Sequence, residues 1–378
     1  MKKIISALTV AVVVAVTALT PSASGLSLSA RSAALLCVES GEFLYCKDAD
    51  ERLPMASTTK IMTSLLALEY AQPDKEIVVT EEMVSVEGTS MGLVAGDSVS
   101  MRELVYGMLL QSGNDAANTV ATVIGGNAES FAKLMNERAE KIGMTDTNFV
   151  TASGLDAKEH YSTAHDMALL AAECLRNPEF AAICSQKTAK LTYGNPPYAR
   201  TLTNHNRLLR SYPDAIGVKT GFTKKSGRCL VSAAKRGGVT LVAVTLKAPD
   251  DWSDHKELLD YGFSVCKTEL LTCDLSAFSA KVCGSDKSSV AMRLSYERQG
   301  LSGCECILLI KPMLYAPVNE GDIIGRAVFV TGGRIAADIP VEAAENAAYV
   351  QVQVQPVAEK KGFFTRLYEK IKEILFQR

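Results

Sequence analysis

Pro54-Met55-Ala56-Ser57-Thr58-Thr59-Lys60-Ile61-Met62-Thr63 is the stretch from which the rest of the chain can be read. Its second half opens an apolar pattern in which Ile61, Met62, Leu65, Leu66 and Leu68 recur at helical spacing. Pro54 and Ser57 therefore stand at a helix start. Ser57 and Lys60 share one face of that helix. The free N–H groups of a first turn favour developing negative charge. A serine there can act as a nucleophile if an uncharged lysine amine lies against its hydroxyl and takes the proton. Burial in an apolar pocket and a second nearby cation both favour the neutral amine.

The bare pattern Ser-x-x-Lys is weak, since chance supplies roughly one or two in a chain of this composition. It recurs at Ser232 to Lys235, Ser253 to Lys256 and Ser264 to Lys267. Only Ser57 precedes a long apolar helix; Ser232 falls in an expected strand, which turns Lys235 to the opposite face. Two other elements complete a constellation. Ser112-Gly113-Asn114 is the chain's only Ser-x-Asn and sits between two helical stretches. Lys219-Thr220-Gly221 ends an apolar run on an expected strand, whereas Lys225-Ser226-Gly227 sits in a polar turn.

Outward from these points the chain alternates periods. Ala33 to Cys46 reads as a hairpin around Ser40-Gly41. A helix starts at Ser100 with Glu103 as a capping box, and others are expected at Asp115 to Ile124, Ala128 to Ile142 and Ala164 to Leu175. Strands follow at Ile216 to Thr223, Arg228 to Lys235 and Thr240 to Leu246, then a helix from Asp250 to Cys266. This order predicts a mixed α/β unit, an antiparallel sheet of early and late strands flanked by helices. From about Leu270, short strand-like runs between Gly and Pro turns (Ser289 to Leu294, Ile307 to Ile310, Ile323 to Val330, Arg334 to Ile339) predict a small all-β domain, sandwich-like. The expected boundaries are 1–27 for a signal peptide, 28–268 for the mixed domain, 269–356 for the β domain and 357–378 for a terminal amphipathic helix.

The 378 residues carry 40 Lys+Arg and 42 Asp+Glu, a net −2 that argues against a nucleic-acid partner. Four histidines without metal-ligand spacing, and no Walker loop, H-E-x-x-H or G-x-S-x-G, point to no metal and no cofactor. His160 and His165 share no helical face. Lys2 and Lys3 before the apolar run Ile4 to Leu19, then Pro21 and small residues, have the order of a secretory signal. An uncleaved anchor is the alternative, although the run is short for a span of about 20 residues. Ten cysteines in an exported chain suggest disulfides, but their connectivity is not readable. On a two-residue turn Cys37 would face Leu44, leaving Cys46 a diagonal neighbour at about 7–8 Å, slightly too far to bridge. Small buried apolar residues are the competing reading for most of the ten. At the C-terminus Phe363, Phe364, Leu367, Ile371, Ile374 and Leu375 share a helical face beside basic residues, which suits an anionic membrane surface or, alternatively, packing on a domain.

The ordered set Ser57-x-x-Lys60, Ser112-Gly113-Asn114 and Lys219-Thr220-Gly221-Phe222-Thr223 resembles the low-molecular-mass penicillin-binding proteins, serine-type D-alanyl-D-alanine carboxypeptidases. The resemblance spans nearly the whole chain, more loosely in the β domain, where Pro317-Val318-Asn319-Glu320-Gly321-Asp322 carries it. It implies that Ser57 attacks the carbonyl between two D-alanines of a peptidoglycan stem peptide, with Lys60 as base. Ser112 would relay a proton to the leaving amine, and Asn114 would hold Lys60 and the substrate amide. Lys219 and Thr220 would bind the terminal carboxylate. The N–H groups of Ser57 and Phe222 would form an oxyanion hole, and Gly221 would belong to the substrate-binding set with them. β-Lactams would acylate the same serine. It also implies a location at the outer face of the cytoplasmic membrane, in contact with the cell wall. Ser-Gly-Asn in place of Ser-Asp-Asn, and no Glu-x-x-Leu-Asn segment, favour a peptidase over a lactamase; Glu103 and Glu173 read as solvated faces. An endopeptidase on the same machinery and a silent cell-wall binding module are the other readings. Among Arg200, Arg207 and Arg210 the sequence does not choose an additional carboxylate contact.

Overall fold

The computed structural model describes residues 26–70, 74–351 and 362–376. Residues 1–25 of the expected signal peptide and residues 357–361, 377 and 378 of the expected tail lie outside them. The chain divides into two compact units, one running to Thr272 with 297–307 and 328–338, the other made of 273–296, 308–327 and the chain from Ile339 onward.

Within the first unit the sheet is built from β1 (Ser32–Cys37), β2 (Phe43–Lys47), β3 (Ala215–Thr223), β4 (Gly227–Arg236) and β5 (Val239–Leu246). The spatial order is β2-β1-β5-β4-β3, and every neighbouring pair is antiparallel. The β1–β5 pairing closes the sheet between chain segments some two hundred residues apart. Successive residues feed opposite cores, as a pleat requires. Ala34, Leu36, Val242 and Val244 face a large helical core, while Ala33, Leu35, Leu241 and Ala243 face a smaller one. All eight residues of β5 are buried, so this strand reads as a continuous apolar run despite its antiparallel neighbours.

Helix α7 (Asp251–Val265) packs through Leu258 and Leu259 on the smaller core. The larger core holds α1 (Lys60–Tyr70), α2 (Met101–Leu110), α3 (Asn114–Gly125), α4 (Ala128–Ile142), α5 (Ala164–Cys174) and α6 (Pro178–Cys184). Ser100 caps α2, its hydroxyl accepting from Glu103 N while the Glu103 carboxylate accepts from Ser100 N, as the capping pattern predicts. α1 touches α2, α3, α5 and α6. Ile61, Met62, Thr63, Ser64, Leu65, Leu66 and Ala67 are all buried, each large apolar member contributing about 1.5–3 kcal/mol of transfer free energy. A helix enclosed on every side carries its first residue inside with it, and that residue is Lys60.

Three details differ from expectation. The residues 56–59 form a 3₁₀ turn rather than the first turn of α1, placing Ser57 on a tighter coil with i→i+3 bonding. α6 and the hairpin of Thr188–Tyr193 with Tyr198–Thr203 were not anticipated. The first hairpin has a wider loop, because Cys37 N donates to Glu42 O and the register slips after Leu35. Cys46 pairs with Ala34 instead of lying diagonal to Cys37. Cys37, Cys46, Cys174, Cys184, Cys229, Cys266, Cys273, Cys283 and Cys304 are free thiols, and the Cys37 thiol interacts with Cys266.

Between 266 and 351 the described residues form strands and turns without a helix. In the second unit Ala280–Cys283 pairs antiparallel with Ser289–Val290 and parallel with Leu314–Tyr315, and Met292–Leu294 runs antiparallel to residues 341–343. α8 (Phe363–Phe376) exposes Phe363, Phe364, Leu367, Tyr368 and Ile371. Among the described residues no helix is long and apolar enough to cross a membrane.

Candidate active site

The sheet ends at β3, which packs against the 3₁₀ turn that carries Ser57. The approach is so close that a Cβ built on Gly221 would stand 3.0 Å from Met55 O and 3.1 Å from the N atoms of Ser57 and Thr58. Glycine is needed there for want of space. Ala56, immediately before the nucleophile position, has φ of +48°, and Ser112 has φ of +62°. Left-handed backbone at a residue with a Cβ costs about 1–3 kcal/mol and marks sites the surroundings over-determine.

Lys60 is completely buried, and its Nζ has three oxygen neighbours: Ser57 Oγ at 2.9 Å, Asn114 Oδ1 at 2.7 Å and Ser153 O at 2.5 Å. The Asn114 amide is oriented, because its Nδ2 donates to Glu87 O at 2.7 Å, leaving Oδ1 toward the lysine. Asn114 Oδ1 and Ser153 O can only accept. A neutral amine therefore spends its two N–H bonds on those carbonyls and turns its lone pair to Ser57 Oγ. Burial takes the Lys60 ammonium well below its ordinary range, and the charge of Lys219 lowers it further, while Asp115 acts the other way. Lys219 is also buried, which brings it to about 7; its Nζ donates to Thr220 O at 2.8 Å. Burial is the chief cause for both amines, and the Lys219 charge adds to the lowering of Lys60.

In front of these groups is an open cleft of about 320 Å3 lined by Ser57, Ser112, Thr220, Gly221 and Phe222, with Thr89, His205, Arg207, Arg228, Asp251 and Trp252 around them. The structure thus brings together every sequence-predicted site residue: five on the wall, with Lys60, Asn114 and Lys219 directly behind it. Phe222, at the cleft rim, is 65% exposed. Of the three arginines left open, Arg207 lines the cleft. Arg200 is stacked between Tyr193 and Tyr198 beside Asp97, and Arg210 donates to Asn204 O and Lys187 O.

Sequence reasoning missed the strap 203–207. Asn204 and Asn206 are buried and donate to Cys184 O, Gln186 O and Gly217 O, turning His205 and Arg207 outward to the cleft. The signal was the alternation of the two asparagines. It missed Ser153 as well, whose part is played by a backbone carbonyl that any residue could supply. Gly154 beside it has φ of +84°, and a Cβ there would fall 1.9 Å from Ala56 O. His160 braces this segment: its Nδ1 accepts from Val150 N at 2.9 Å, and Nε2 lies 3.0 Å from Thr59 Oγ1. Burial lowers it to about 4, in keeping with a neutral ring that accepts at Nδ1.

The other Ser-x-x-Lys patterns, Ser130 to Lys133 within α4 included, are structural and do not line the cleft. Ser232 Oγ is 2.6 Å from His255 Nδ1 in the core, away from the cleft, and Lys235, Ser253, Lys256, Ser264 and Lys267 are exposed. Lys225 and Ser226 lie in the β3–β4 turn, and Gly227 opens β4. Neither Glu103 nor Glu173 lines the cleft, and both are half-buried and engaged rather than freely solvated. Glu103 caps α2, and Glu173 pairs with Arg138 and Arg176.

A family model described as D-alanyl-D-alanine carboxypeptidase matches residues 17–250. The chain is 30% identical over 367 residues to the D-alanyl-D-alanine carboxypeptidase DacF of Bacillus subtilis, covering 91% of this chain and 90% of that protein. It is 34% identical over 369 residues to DacC of Escherichia coli, covering 91% and 88%. Among solved structures, the Streptomyces K15 DD-transpeptidase superposes with a TM-score of 0.61 at 31% identity, over 64% of this chain and 99% of that one. Penicillin-binding protein 5 of Haemophilus influenzae gives 0.60 at 27% identity, over 85% and 98%.

Proposed function

The chain belongs to the D-alanyl-D-alanine carboxypeptidase family, and from that premise we propose that Ser57 is the residue through which it works. The protein is a serine-type carboxypeptidase of the penicillin-binding class, acting on peptidoglycan. The observation that carries the assignment to Ser57 is the coordination of Lys60, with two obligate acceptors and one hydroxyl around a fully buried amine.

Ser57 Oγ attacks the carbonyl of the terminal D-alanyl-D-alanine bond as its proton passes to the Lys60 lone pair. The developing oxyanion takes hydrogen bonds from the N–H groups of Ser57 and Phe222, each worth about 3 kcal/mol in the transition state. Collapse expels D-alanine, whose nitrogen receives a proton through Ser112, and water then releases the shortened peptide from the acyl-enzyme. Lys219 and Thr220 hold the substrate's terminal carboxylate, whose approach favours the charged form of Lys219. A β-lactam presents a carbonyl and a carboxylate in similar positions and acylates the same oxygen.

The test is labelling with a tagged penicillin. The intact protein is expected to label covalently and Ser57→Ala not at all, and release of D-alanine should exceed turnover of the lactam. Labelling that survives in Ser57→Ala would remove the assignment, and absence of labelling in the intact protein would favour a binding module.

Export and attachment at the outer face of the cytoplasmic membrane belong to the same reading. They are supported by the charged-then-apolar N-terminal order and by the apolar side chains that α8 exposes. Deleting the residues after Ala358 is expected to move the protein from sedimented membranes to the supernatant with penicillin labelling unchanged. A truncated protein that still sediments would place the anchor elsewhere.

A further inference from the structure

Asn114 orients Lys60, yet what orients Asn114 is a stretch of chain with no regular structure. Asn114 Nδ2 donates to Glu87 O and Asn114 N to Thr89 O, each at 2.7 Å. Residues 87–90 are exposed and belong to no strand or helix. Such a segment holds its carbonyls in place only if something else holds the segment. Gly88 runs so near that a Cβ there would lie 2.7 Å from Asn114 Nδ2.

The tie is the next residue along α3. The Asp115 carboxylate is 2% exposed and accepts from Ser90 Oγ at 2.5 Å, Met91 N at 3.0 Å, Gly92 N at 3.1 Å and Leu93 N at 3.0 Å. Ala116 N adds a fifth donor at 2.9 Å. Three successive backbone N–H groups converging on one carboxylate make an anion nest, and the first turn of α3 adds its own preference for negative charge. No ion pair to Asp115 is recorded among the described residues, so these donors offset its desolvation. Gly113 leaves the room, since a Cβ on it would meet Asp115 Oδ1 at 2.7 Å and Met91 N at 3.0 Å.

We propose that Asp115 is a positioning residue for acylation, clamping segment 87–93 so that the Glu87 and Thr89 carbonyls fix the Asn114 amide and, through it, the Lys60 amine. The proposal rests on the acyl-enzyme reading of Ser57. The clamp also places an anion near Lys60, where the charged groups that act on the amine are Lys219 of β3 and Asp115 of α3. Its removal therefore has two signatures, a slower acylation and a Lys60 that gives up its proton at lower pH.

The experiment uses the full chain, measuring the second-order rate of penicillin acylation against pH, normalised to titrated sites, together with the melting temperature. Asp115→Asn is expected to acylate about 10- to 100-fold more slowly, with the acid limb of its profile moved to lower pH. Ser90→Ala removes one exposed donor, keeps the charge, and should slow acylation about 2- to 10-fold with the acid limb in place. If Asp115→Asn does not fold, Ser90→Ala decides. Wild-type rates per site in the folded variants overturn the clamp, as does a loss confined to melting temperature or to the fraction of titratable sites. An intact protein that fails to label overturns this inference and the acyl-enzyme reading together, whereas a labelled intact protein with unaltered variants overturns this inference alone.

Discussion

Lys60→Met is expected to fall by about 10⁴-fold or more in its rate of penicillin acylation while remaining folded. A positioned general base supplies about 10²–10⁴ by itself, and members of a nucleophile–base unit are lost together rather than additively. Methionine retains most of the buried volume. It leaves Asn114 Oδ1 and Ser153 O without the donor that now lies 2.7 Å and 2.5 Å away, so some loss of melting temperature accompanies the change. That loss is separable, because a folded, unlabelled protein reports on chemistry and an unfolded one does not. Near-normal labelling of folded Lys60→Met would mean that Ser57 gives its proton to some other group.

Lys219→Ala should lower kcat/KM for a D-alanyl-D-alanine peptide by about 10- to 100-fold, the worth of one charge-assisted contact to the substrate carboxylate. A second consequence distinguishes this lysine from a simple binding group. Its charge helps hold Lys60 below the ordinary lysine range. With that charge gone, Lys60 keeps its proton to higher pH, so the acid limb of the acylation profile should move upward. Asp115→Asn should move it downward, and the opposite signs make the pair a test of electrostatics rather than of stability. An unshifted limb in folded Lys219→Ala would show that the two amines do not act on one another.

What the sequence made legible is what local rules encode. The 3.6-residue pattern after Lys60, the Ser100–Glu103 box and the apolar runs of β3, β4 and β5 all depend on neighbours in the chain. The three short site elements were legible because their residue types are chemically uncommon in those contexts and their order is fixed. What stayed hidden is held by backbone groups across long separations. Ser153 O on Lys60, Glu87 O on Asn114 and the nest of residues 91–93 on Asp115 use peptide groups that any side chain could accompany. The first hairpin formed as expected, but its two-residue turn did not, for a related reason: the bond from Cys37 N to Glu42 O and the slip after Leu35 are backbone events, and they placed Cys46 opposite Ala34. Cysteine count likewise said nothing of proximity, and the contact of Cys37 with Cys266 joins distant segments.

The dependence of everything above on an unprotonated amine can be measured directly, by following the second-order rate of penicillin acylation of the intact protein from acid to alkaline pH. An acid limb lying well below pH 10, absent in Ser57→Ala, shifted up in Lys219→Ala, is the outcome that a buried, neutral Lys60 dictates. A rate that climbs only as pH passes the ordinary lysine range near 10.4 would contradict it, because the proton acceptor would then be an amine the fold had left charged.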